Sequence, residues 1–110
     1  MMNTIVVTDI AAYAVYGSGS SSFSYNDIYN SNTTGYTYGG SYSAGSGDIS
    51  SDPDLSDVTC DGNPLNDDWT LDSSSPAKDA GAPSSSYNDT DGSRNDMGPY
   101  GGPLGSSWNP

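Results

Sequence analysis

Along the first half of the chain, apolar and β-branched residues come in short bursts separated by glycine, serine and asparagine. NTIVVT (residues 3–8), YAVYG (13–17) and SFSYNDIYN (22–30) each give way to small polar residues. β-Branched and aromatic side chains favour pleated, half-buried surfaces, so these bursts predict short strands. The second half holds one more alternation, DWTLD at residues 68–72, which would put Trp69 and Leu71 on one face. Prolines at 53, 64, 76, 83, 99 and 103 punctuate the rest. Each bars a helix interior or a central strand. The pattern predicts an all-β chain: strands over residues 1–46, then an irregular, turn-rich segment over 47–110.

The strands repeat. Displaced by 23 positions, the sequence places Asn3 on Asn26, Ile5 on Ile28, Tyr13 on Tyr36, and Gly17-Ser18 on Gly40-Ser41. Short strands with turns at small polar residues, repeated at this period, describe the coils of a parallel β-helix, in which like residues stack. Ile5 over Ile28 would form an interior column. Asn3 over Asn26 would form an amide ladder at a corner. The chain holds about two rungs, fewer than the ~3 repeats usually needed for stability, and its first rung would present an open sheet edge. Residues 47–110 would then cap the coil, with Trp69, Leu71 and Tyr100 plugging the last rung.

Composition narrows the picture. The hydrophobic fraction is 32%, below the roughly 45–50% of ordinary globular domains, so a conventional two-layer core is hard to build. The formal net charge is -12, with Lys78 and Arg94 the two cationic residues. Nucleic acid and anionic membrane are poor partners for such a chain, and divalent cations are its natural counter-charge. With no histidine and Cys60 alone, imidazole zinc sites, Ser/His or Cys/His catalysis and an intrachain disulfide drop out. Cys60 reads as a small buried residue or a bystander. The opening residues lack a cationic n-region, and Asp9 interrupts their apolar run, so they do not read as a signal peptide. If the protein is exported, its signal is expected upstream, which suggests the tail of a larger protein or a truncated gene product.

The motifs SDPDL (51–55), DDWTLDSSSPAKDAGAP (67–83) and DTDGSRNDMGPYGG (89–102), preceded by NDIYN (26–30), resemble the carboxyl end of bacterial secreted right-handed parallel β-helix proteins of the pectate-lyase-like superfamily. The resemblance covers almost the whole chain. Lys78 and Pro99 depart from it, standing where an aliphatic residue and an alanine are common. It implies a short right-handed coil of about two rungs with a C-terminal cap, on an extracellular or cell-surface protein. Lyases and glycoside hydrolases occur on that scaffold, so the parent could be an enzyme of polysaccharides.

The acidic loop has two readings. Asp89, Asp91 and Asp96, with a carbonyl and water, could hold one Ca²⁺, because alternate carboxylates followed by glycine are how calcium loops begin. Alternatively, Asp89 or Asp91 caps a turn through backbone N–H groups, and Arg94 forms an ion pair with Asp96 or Asp79. No pair of aspartates is marked by spacing for acid–base work, so no catalytic residue is expected in this segment. Three functions stay open: a non-catalytic structural cap that self-associates head-to-tail through its open first rung, a carbohydrate-binding surface built on tyrosines and acids, or a remnant of a polysaccharide lyase or hydrolase.

Overall fold

The structure is a computed structural model that describes residues 1–59, 61–63 and 65–105. Six strands and one 3-10 turn make up its regular elements: β1 (Ile5–Thr8), β2 (Tyr13–Gly17), β3 (Asp27–Asn30), β4 (Tyr36–Gly40), β5 (Leu55–Asp57), β6 (Asp68–Leu71) and the turn Ser85–Tyr87. The expected all-β class is observed. β1 pairs with β3 and β2 with β4, both parallel. The second strand of each pair therefore returns in the direction of the first. An isolated parallel bridge joins Asp27 of β3 to Ile49.

The register corrects the uniform repeat of 23. On the β2/β4 side the offset is 23, with Tyr13 opposite Tyr36 and Gly17 opposite Gly40. On the β1/β3 side it is 22: Ile5 faces Asp27, and Val6 faces Ile28. Ile5 and Ile28 are not stacked neighbours. The one-residue difference lies in the connections. Four residues, 9–12, join β1 to β2, whereas five, 31–35, join β3 to β4. Asn30 absorbs the mismatch. Its Nδ2 donates to the carbonyls of Ile10, Ala12 and Tyr36, and its Oδ1 accepts from the amides of Ile10 and Asn32.

Among the described residues, five apolar side chains are buried, Ile28, Pro53, Ala77, Ala82 and Met97, and so are four polar ones, Asn26, Asp27, Ser75 and Asn95. So high a polar share is informative, because buried polar groups persist only with partners. Here the polar residues hold the corners. Two equivalent corners, Asn3 and Tyr25, carry positive φ of 54° and 55°. For a tyrosine that conformation costs of order 1 kcal/mol or more. It is held by Tyr25 N–H donating to Ser46 O and by Arg94, whose guanidinium lies 5.8 Å from the Tyr25 ring centre.

The second half contains more order than its prolines predict. β5 and β6 form an antiparallel hairpin, with Leu55 opposite Leu71. β6 falls on the alternation read at 68–72, and Trp69 and Leu71 are both half-buried there. The tail motifs lock onto one another. Ser75 Oγ donates to Pro53 O, Met97 N–H to Ala77 O, and Gly81 N–H to Asn95 O. This unit docks on Asn3 and Tyr25: Gly98 N–H donates to Asn3 O, Ala82 N–H to Asn3 Oδ1, and the Arg94 guanidinium lies over the Tyr25 ring. Asn3 therefore anchors the tail rather than an amide ladder. Cys60 lies outside the described residues.

Candidate functional site

The corner before β3 is a buried, densely hydrogen-bonded polar cluster. Asn26 is fully buried. Its Oδ1 accepts Thr4 N–H, and its Nδ2 donates to Met1 O and to Asp48 Oδ1. Asp48 repeats the device one layer on. Its Oδ1 also accepts Asn26 N–H at 2.8 Å, and its Oδ2 accepts Gly45 N–H and the Tyr38 hydroxyl. Thr4, Asn26 and Asp48 thus form a ladder at offset 22, one position out of the frame that paired Asn3 with Asn26. The signal for it lies in the sequence as Ser24/Ser46 and Asn26/Asp48, two weak matches at 22. Burial first, and the Asp48 hydrogen bond second, push the Tyr38 phenol well above its ordinary range, so Tyr38 is a fixed donor.

Asp27, beside Asn26, is also fully buried. Its Oδ1 accepts Ser51 N–H at 3.1 Å, while Oδ2 meets no hydrogen-bond partner. Burial raises its pKa, the Ser51 amide opposes that rise, and the Asp52 carboxylate adds to it. The folded chain holds this proton more tightly than the unfolded chain does. The stability this provides is fully present below the ordinary carboxylate value and is lost as pH rises through the raised one. Asp27→Asn keeps an acceptor for Ser51 and removes the charge. It is expected to raise the melting temperature at pH 7, by about 1 kcal/mol of stability, and to abolish the stability that acidification adds through this group. Thermal melts from pH 3 to 8 check this.

Above the β1/β3 face lies a groove of about 690 Å³. Ile5, Val7 and Tyr29 share one face of the parallel pair by register and line it from the sheet side. Leu55, Val58 and Trp69 line it from the hairpin side, with Pro53 and Pro99 at its margins. Asn3, Thr4, Ser31 and Asp52 supply polar groups, and neither Lys78 nor Arg94 contributes. Trp69 was expected to plug the coil; instead it walls this groove. A smaller hollow joins Trp69 and Leu71 to Tyr100, Asp96 and Met97.

A second aromatic surface lies on β2/β4. Tyr13 stacks on Tyr36 at 5.1 Å between ring centres and touches Tyr16 at 5.5 Å. All three are exposed. A Cβ on Gly39 would lie 2.5 Å from the Tyr13 ring, so that glycine makes the seat for the ring. By contrast, Tyr38 and Tyr42 pack edge-on against Phe23. The tyrosines thus divide between packing and display.

The acidic loop is built as a turn. Asp89 accepts the amides of Asp96 and Gly102 through its two oxygens. Asp91 Oδ1 accepts both the amide and the hydroxyl of Ser93, and the Ser93 hydroxyl is the leading cause that lowers its pKa. Asp96 Oδ1 accepts Asp79 N–H at 2.7 Å; burial raises its pKa, against the pull of that amide. Among the described residues no three carboxylates or thiols gather into a metal-holding group. The expected Arg94–carboxylate pair is not formed. Arg94 Nε donates to Gly81 O at 2.7 Å and NH2 to Ala80 O at 3.4 Å. Arg94 ties the 75–81 motif to the 89–102 motif through backbone, a role that spacing alone could not separate from an ion pair.

Compared with known proteins, the chain matches no family model, no curated protein and no solved structure.

Proposed function

We propose that the chain is a non-catalytic structural module: the coils and flanking cap of a short right-handed parallel β-helix on an extracellular protein, joined to a second copy head-to-tail through its first rung. The observation that carries this reading is strand pairing on one side only. β1 and β2 each have a single strand partner, whereas β3 is bridged onward to Ile49. An edge of unpaired amides and carbonyls is a template for another strand. Contact between unlike ends is heterologous and propagates unless it closes into a ring. The carboxylates offer little free chemistry: Asp48, Asp89 and Asp96 are spent on backbone amides. The resemblance of the 51–55, 67–83 and 89–102 motifs to secreted β-helix proteins supports the extracellular setting.

The test uses one edge residue. Thr4 and Thr8 carbonyls accept from Asp27 and Ser31, so on this strand the alternate residues Ile5 and Val7 direct their amides away from β3. Val7→Pro removes an outward donor and leaves the β1–β3 ladder intact. Sedimentation across a concentration series should show association of the wild type, strengthened by salt because like charges are screened, and a monomer for Val7→Pro with an unchanged melt. A wild type that stays monomeric at every concentration and salt would refute the joint.

The exposed tyrosines favour one second reading, a carbohydrate-stacking surface. On that reading Tyr16→Ala weakens retention on a polysaccharide panel severalfold without lowering stability; an unretained wild type retires it.

A further inference from the structure

The groove over β1/β3 has a chemistry that the structural role does not use. Its walls are apolar and aromatic, with Trp69 on the hairpin side and Tyr29 on the sheet side. A volume of about 690 Å³ falls within the range of small-molecule sites, roughly 300–1,000 Å³. Among the described residues that line it, the one charged group is the Asp52 carboxylate. Next to Asp52 lies Asp27, fully buried, with an oxygen that no donor reaches. The charge of the chain as a whole is -12. An anionic ligand would meet repulsion with no lysine or arginine to receive it. A neutral apolar ligand would fill the apolar walls but leave the exposed Asp52 carboxylate unused. An organic cation satisfies both features, since its ammonium can pair with a carboxylate while indole and phenol faces attract positive charge.

We propose that this groove binds a small organic cation, an ammonium carried on an apolar or aromatic body, with Asp52 receiving the charge and Trp69 and Tyr29 enclosing the body. Asp52 is suited to the role because it is exposed, and the hydrogen bond it makes with its own turn, accepted by Oδ1 from Asp54 N–H, leaves Oδ2 for a ligand. The site is built from side-chain faces, not from the free edges of β1 and β2. It stands whether or not copies associate.

The experiment compares three probes of similar size and different charge: phenethylammonium, 2-phenylethanol and 3-phenylpropionate. Binding is followed by amide and indole chemical shifts of the full chain, with Trp69→Phe assigning the Trp69 indole resonance. The ammonium probe should shift Trp69, Val7 and Asp52 and bind about tenfold more tightly than the alcohol, with no detectable binding of the carboxylate. Asp52→Asn keeps the acceptor for Asp54 and should bring the ammonium and alcohol affinities together. Equal affinity for all three probes, shifts confined to other surfaces, an unchanged preference in Asp52→Asn, or no binding at millimolar probe would each overturn the proposal.

Discussion

Asn26→Ala is expected to lower stability by about 3 kcal/mol. Few side chains in this molecule do as much from a fully buried position. It caps the Thr4 amide, reaches the Met1 carbonyl and meets Asp48, joining three successive layers. Alanine would strand the Thr4 donor and remove one contact to the Asp48 carboxylate, while the Met1 carbonyl keeps only the Ser24 amide. Each unsatisfied buried group costs about 1–3 kcal/mol, more near a charge. At about 4–8 °C per kcal/mol for a domain of this size, the melting temperature should fall by about 15 °C. Asn26→Asp is an informative companion, because it keeps the shape but sets a second carboxylate against Asp48. It should also destabilise at pH 7 and recover part of the loss in acid, as protonation restores a donor. Equilibrium melts of the three proteins at two pH values measure both effects.

Gly45→Ala should be at least as damaging, for a steric reason. A Cβ at residue 45 would lie 1.5 Å from the Phe23 carbonyl oxygen and 2.6 Å from its carbon. Neither is the end of a flexible side chain, so the backbone itself must move. The same residue donates its amide to Asp48 Oδ2 and accepts from Asp48 N–H through its carbonyl. Displacing it would open the Asp48 cluster and with it the bond to Tyr38. Overpacking of this kind costs about 1–3 kcal/mol, and more when a hydrogen-bonded network goes with it. Urea denaturation should place the loss at about 3 kcal/mol. Ser46→Ala, an exposed neighbour, should stay within about 0.5 kcal/mol of the parent.

How the sequence disclosed the fold follows from these two residues. Aromatic and glycine matches at 23 lie on the β2/β4 side, where the register is indeed 23, so that half was legible. The Asn-x-Ile match drew its strength from identities, yet the contacts that matter there join unlike residues: threonine, asparagine and aspartate at 22. A corner needs an acceptor over an amide, and both asparagine and aspartate supply one. Identity counting misses that equivalence. The extra residue in the second connection, which shifts the register, is invisible until Asn30 is seen bonding to Ile10 and Ala12. β5 was hidden because LSD carries too little apolar pattern to stand out beside a proline. Trp69 was recognisable as an anchor, but not its target. A tryptophan in an antiparallel hairpin can face an end or a flank, and only the docking of the tail on Asn3 decides between them. The groove had no sequence signature, since its lining comes from five separated segments.

The claim beneath all of this is that the chain passes twice along one path, with parallel partners 22 and 23 residues apart. Backbone NMR tests it directly, through interstrand NOEs and hydrogen-bond scalar couplings in uniformly labelled protein. A coupling is expected between the Asp27 amide and the Thr4 carbonyl, with parallel contacts pairing Val6 with Ile28 and Tyr13 with Tyr36. Antiparallel contacts between these strands, or an Asp27 amide that exchanges freely with solvent, would contradict it.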